Sequence, residues 1–248
     1  AGLRKGEVLA GGTVSLDASK LGYVVTGSGS IVDVSGTSAV FDITNQKVRS
    51  NVVNPAMTVA GNAGSITVAA RQGAFVDGTM KAASGGIGAA AGSFTMKVDG
   101  LPNESDVVNA LAGYPKVGGY ELRVAVGGSV LPAGISRAAG IAGTNLGHGA
   151  VSAQGLQDAG FDDITLSSQN TIAFDAGANL GPRRSLVLEA PRLTAAGPTT
   201  VAAEYLKWSN GRQTLSTTTD GGGVASSGNG RINFTAGLLD LVGDLVLG

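Results

Sequence analysis

The chain has 248 residues, with 41 Gly, 14% charged and 4% aromatic residues, 1 His and no Cys. Without Cys there is no disulfide framework and no thiolate nucleophile or metal ligand, and the one imidazole, His148, excludes a site built on paired histidines. A net charge of −1 offers no basic field for a nucleic-acid backbone, and no run of about 18 apolar residues exists to cross a membrane as a helix, so neither nucleic acid nor membrane insertion is expected.

The 43% hydrophobic share argues against a charged disordered tail, and Gly recurs without the strict third-position period of collagen. Short alternating segments then follow one another along the chain. Residues 12–18, 30–36, 64–70 and 92–98 each place apolar side chains at i and i+2, as Val14 and Leu16 do, between mostly polar neighbours. Period two predicts a strand with one buried face. The phrase Leu101-Pro102-Asn103-Glu104-Ser105 through Gly113 reads as a short helix, with Asn103 or Ser105 to cap it and Gly113 to close it. Alternation resumes at 120–126, and residues 134–149 are small. Further strands are expected at 163–167, 184–190 and 230–235. Turn residues stand between them, as in Thr26-Gly27-Ser28-Gly29, Ser84-Gly85-Gly86, Ser209-Asn210-Gly211-Arg212 and Asp220-Gly221-Gly222-Gly223.

Strand anchors lie 18 residues apart from Val14 to Val32 and from Val76 to Phe94, and 22 apart from Ile164 to Leu186. The fold class this predicts is all-β: a parallel β-helix, or β-solenoid, with a small helix-containing insertion. At roughly 20 to 25 residues per coil it would make about eight to eleven coils. The expected organisation is coils over 1–100, an insertion with a short helix and a strand over 101–150, and further coils over 151–248. An insertion of this kind either bears a binding face or shields one edge of the stack. Residue 1 is Ala, and the last eleven residues, from Leu238 to Gly248, form an apolar, strand-like run without a polar cap. The sequence therefore reads as a segment of a longer protein.

The phrases Gly11-Gly12-Thr13-Val14-Ser15-Leu16-Asp17-Ala18, Gly27-Ser28-Gly29-Ser30-Ile31-Val32-Asp33-Val34-Ser35-Gly36 and Gly160-Phe161-Asp162-Asp163-Ile164-Thr165-Leu166-Ser167-Ser168, with the closing Leu241-Val242-Gly243-Asp244-Leu245-Val246-Leu247, resemble the filamentous-haemagglutinin-like exoproteins of Gram-negative bacteria. The resemblance covers most of the chain outside 101–150. It implies a right-handed β-helical shaft, export by the two-partner route through an outer-membrane transporter, and a place outside the cell or on its surface. It also implies a role in adhesion, aggregation or contact-dependent competition, with a host or bacterial surface glycan or receptor as partner. The secretion domain of that family carries Asn-Pro-Asn, whereas Asn54-Pro55-Ala56-Met57 lacks the second Asn. The segment accordingly reads as shaft or a later module.

Parallel β-helices also include pectin-degrading enzymes, so the acids matter. Asp162-Asp163, with Asp175 as a third acid and Gly147-His148-Gly149 as a histidine element, resemble the site of polygalacturonase-like enzymes, but here the histidine precedes the acids. Adjacent acids on a strand also point to opposite faces, so a solvated coil corner is the default. Asp-rich turns lack the repeated Gly-Gly-x-Gly-x-Asp pattern of calcium-binding rolls. Gly85-Gly86-Ile87-Gly88 and Gly221-Gly222-Gly223 lack the Gly-Lys-Ser/Thr of a phosphate loop and read as turns. Tyr205 and Trp208 either stack on sugar rings or fill a coil corner. Arg183, Arg184, Lys47 and Arg49 read as solvated basic spots. The sequence thus predicts no catalytic, cofactor-binding or metal-binding residue. The function expected is a non-enzymatic adhesive scaffold, the alternative being a carbohydrate-active enzyme or a glycan-binding module that uses 101–150 or the Trp208 region.

Overall fold

The computed structural model describes residues 3–20, 22–43, 46–48, 51–100, 117, 119–135, 143–211 and 230–248. Its first strands are β1 (Thr13–Ala18), β2 (Tyr23–Thr26), β3 (Ile31–Asp33), β4 (Ser38–Asp42), β5 (Gln46–Val48), β6 (Asn51–Val53) and β7 (Ala56–Ala60). Next come β8 (Ser65–Ala70), β9 (Gly73–Val76), β10 (Thr79–Lys81), β11 (Ser93–Val98), β12 (Glu121–Ala125) and β13 (His148–Ser152). The helix α1 (Ala153–Ala159) leads into β14 (Asp163–Ser168), β15 (Thr171–Phe174), β16 (Ser185–Glu189) and β17 (Arg192–Ala195). The long β18 (Pro198–Ser209) and β19 (Arg231–Val242) and the short β20 (Val246–Leu247) complete the order.

Two seven-stranded sheets, parallel throughout, dominate the molecule. The first runs β1-β8-β11-β14-β16-β18-β19 and the second β2-β9-β13-β12-β15-β17-β20. Pairing in the first sheet is in register, so like side chains stack into columns. One column is Val14, Ile66, Phe94, Ile164, Leu186, Leu206 and Leu239; two residues on lies another, from Leu16 through Val68, Met96, Leu166, Leu188 and Trp208 to Leu241. Their middle members are almost wholly buried. The alternation in β8, β11 and β16 has this origin: one set of side chains fills the interior while the intervening set faces outward. Burying a Leu, Ile or Phe contributes roughly 1.5–3 kcal/mol, so the columns supply much of the stabilisation.

Beside the two large sheets, smaller pairings are less regular. β3 pairs with β10 in parallel, and α1 takes the next level, where Ala82 N–H donates to the Ala159 carbonyl at 2.8 Å. Beyond it Leu180 bridges to Val201 within β18, whose first half pairs with that of β19. The helix starts where the extended Ser152 accepts the Gly155 N–H on its hydroxyl, and ends where Gly160 adopts φ 76°. Ala153, Leu156 and Ala159 form its buried stripe.

Three departures from a regular alternation between the two sheets set the chain spacing. Within the stretch read as coils over 1–100, β4 pairs antiparallel with β7 and β5 with β6, as an antiparallel hairpin. It explains why 52 residues separate Thr13 from Ser65, its neighbour one level on. Arg4 braces the hairpin, its backbone N–H and guanidinium both donating to Asp42.

The second departure is an inversion. β12 precedes β13 in the chain, yet β13 lies against β9 and β12 lies beyond it, between β13 and β15. Gly149 in β13 accounts for the order: a Cβ there would lie 2.6 Å from Val98 Cγ2 and 3.0 Å from the Ala74 carbonyl oxygen. Leu122, its register partner in β12, would not fit at that level.

In the third departure, residues 126–135 fold over the outer face of the second sheet. There Val130 packs with Phe75, Ala125 and Ala150 in a small cluster separate from the main core. Asp77 anchors this segment by accepting the Val130 N–H at 2.7 Å and the Ser129 hydroxyl at 3.0 Å. These excursions consume residues, and among the described residues each of the two large sheets has seven strands. The helix expected at 101–113 and the turn at 220–223 lie outside the described residues.

Candidate functional site

The acidic pair proves to be spoken for. Asp162 is almost fully buried, and its carboxylate accepts the Arg183 Nε at 2.9 Å, the Arg183 Nη2 at 2.7 Å and the Ala91 N–H at 2.9 Å. Asp163 is held in the same way by Arg184 and by the Ser185 hydroxyl. The two arginines read as isolated surface charges are therefore the partners of the two acids, 21 residues further on. Their hydrogen bonds hold both carboxyls below the ordinary aspartate range, outweighing the opposing effect of burial. A general acid needs the reverse shift. Asp175 is likewise paired, with Arg123, at 2.8 and 2.6 Å.

His148 opens β13 in the second sheet, while the acid pair stands at the start of β14 in the first. The near neighbour of its imidazole is Glu121 of β12, with Nδ1 at 3.9 Å from the carboxylate. Sheet and register thus keep the histidine and the acid pair apart. Trp208 is buried in its column, where it stacks on Phe234 and donates Nε1–H to the Ala190 carbonyl at 2.8 Å. It is a core residue. Tyr205 is partly buried, and its hydroxyl meets Asp240 at 3.2 Å. The Lys47 side chain and Arg49 lie outside the described residues. Among the described residues no three His, Cys, Asp or Glu side chains group to hold a metal ion.

A different place combines shape with uncommitted polar groups. Where the β9–β10 corner meets α1 and the 126–135 segment, a cleft of about 350 Å³ opens. Val76, Met80 and Val151 give it an apolar lining, and Thr79, Lys81 and Asp158 add a hydroxyl, a cation and a carboxylate. Two of its walls are the helix and the 126–135 segment at Gly128. Asp77 is tied up as the anchor of that segment, whereas Asp158 accepts one hydrogen bond, from Gln154 Nε2 at 2.7 Å to Oδ1. Composition and spacing gave no sign of this cleft. The signal that was present marks the helix: Ser152 as cap, apolar residues at 153, 156 and 159, and Gly160 as terminator.

Comparison with family models, curated proteins and solved structures finds no significant match. The resemblance to filamentous-haemagglutinin-like exoproteins therefore rests on the quoted phrases. Function has to be argued from the geometry.

Proposed function

We propose that the chain is a right-handed parallel β-helix acting as a rigid, non-enzymatic scaffold within a secreted surface exoprotein of the filamentous-haemagglutinin-like kind. On this reading it displays side elements to other cells and reaches the surface through an outer-membrane transporter. The observation that carries the proposal is the pair of seven-stranded parallel sheets, whose strands alternate along most of the chain and whose columns share one core. Stacked coils give a rod that needs no prosthetic group, since each coil covers the strand edge of its neighbour. The tethered acids fit the same reading, since Asp162 and Asp163 join coils through Arg183 and Arg184 and present no free carboxylate pair to a substrate.

Small-angle scattering tests the shape. The expected profile is that of an elongated particle, with parallel-β circular dichroism, and a compact profile would overturn the proposal. Incubation with pectin-like and bacterial polysaccharides should release no reducing sugar. Release that is lost in Asp162→Asn would restore the enzymatic reading.

A further inference from the structure

We infer that the cleft between the β9–β10 corner and α1 is a binding site for one saccharide unit of a surface glycan. The inference deepens the adhesive reading above and rests on it. Its volume of about 350 Å³ lies within the roughly 300–1,000 Å³ of small-ligand sites. The groups around it suit a polyol. Thr79 has no hydrogen-bond partner for its hydroxyl among the described residues, and the Ser152 hydroxyl, which accepts the Gly155 N–H, keeps its own proton to donate. Asp158 has acceptor capacity beyond its bond to Gln154, and Lys81 can donate to a ring or hydroxyl oxygen. Val76, Met80 and Val151 form its floor but are themselves almost fully buried, so the polar groups at the rim carry the contact.

Charge decides against an anion. Lys81 is the one cation lining the cleft, Asp77 and Asp158 are both acids, and Asp33 lies beside Lys81 across the β3–β10 pair. The net negative charge would repel a phosphate or sulfate but not a neutral or amino sugar. No exposed aromatic platform is present among the described residues, so hydrogen bonds carry the contact. Affinity for a single unit should be weak, with dissociation constants on the order of millimolar, and adhesion would come from many copies on one surface.

The test is an amide chemical-shift titration of the isotope-labelled chain with the methyl glycosides of glucose, galactose and N-acetylglucosamine, with inorganic phosphate as a parallel probe. The expected result is saturable shifts at Gly78, Gly128 and residues 152–155 with at least one glycoside, and none with phosphate. Gly155→Leu provides the blocking variant. A Cβ at Gly155 meets only ordinary contacts with Ser152, at 3.5 Å or more, so the helix should tolerate the side chain while the cleft fills. Its affinity should fall at least tenfold at an unchanged melting temperature. No shift with any glycoside, shifts elsewhere, shifts with phosphate alone, or full binding by Gly155→Leu would each overturn the inference. None of these outcomes touches the scaffold reading, which stands or falls by the scattering profile.

Discussion

Between Asp163 and Ser209 the chain adds a strand to each sheet every 20 to 22 residues: Asp163 stands beside Ser185, Ser185 beside Tyr205, and Thr171 beside Arg192. Between β11 and β14 the same single step of the first sheet takes 70 residues, from Ser93 to Asp163, and reverses the order of β12 and β13. Interior packing barely differs. Leu188 in the regular stretch and Leu122 in the inverted one are both fully buried. Register is thus enforced by the size of side chains in each column, and chain distance is free to vary as long as the columns are filled. Lengthening a connection adds closure entropy only slowly, which is why excursions are tolerated.

The comparison can be broken with matched truncations. Leu188→Ala and Leu122→Ala should each destabilise by about 2–5 kcal/mol, measured by denaturant unfolding at pH 7. If Leu122→Ala loses much less, the inverted level is loosely packed and the equivalence fails. Gly149→Val sharpens the point. Its side chain would press on Val98 and the Ala74 carbonyl, so a loss of about 1–3 kcal/mol is expected. A neutral Gly149→Val would mean that something other than space beneath Val98 places β13 next to β9.

In the regular stretch the link between neighbouring strands is also electrostatic. Asp162→Asn keeps the shape but removes the charge from a buried carboxylate that accepts three hydrogen bonds, and should destabilise by roughly 1.5–3 kcal/mol at neutral pH. The pH dependence follows in sign. The folded-state pKa of Asp162 lies below its unfolded value, so on acidification the unfolded chain takes up the proton first. The stabilisation is complete above the ordinary aspartate value of about 4 and fades as pH falls through the depressed one. Melting curves of wild type and Asp162→Asn should therefore converge in acid. A gap that stays constant from neutral pH down to strong acid would assign the loss to packing instead.

The same contrast explains which parts could be read from the chain. Residues such as 65–70, 163–168 and 185–189 announce themselves because one face is core and the other is not. β9, marked only by Val76 as a strand anchor, and β13 show no alternation: the 126–135 segment covers the outer side of the second sheet, so Gly73, Ala74, Phe75 and Val76 are all buried. The hairpin at 38–60 escaped for another reason. Period two is common to parallel and antiparallel strands, so alternation alone cannot tell a side arm from a coil. At the candidate sites, the acids and arginines were visible as residue types, but their pairing depends on a 21-residue separation that means something only once the strand register is known. The cleft depends on where the chain returns after its excursion, which no local pattern encodes.

The smallest effect tests whether charge helps to hold the inverted level. Arg123, on β12, reaches to the end of the neighbouring β15 to grip both oxygens of Asp175 at 2.8 and 2.6 Å, with about half of its side chain exposed. A pair this open to water is worth about 0.2–1 kcal/mol and is screened by salt. Arg123→Gln should therefore lower stability by less than about 1 kcal/mol in dilute buffer, with the difference shrinking in molar salt. The strand order would survive, because Leu122 still needs the space that only its own level offers. A loss comparable to that of Leu122→Ala, insensitive to salt, would shift the cause of the inversion from the fit of Gly149 beneath Val98 to the ion pair above it.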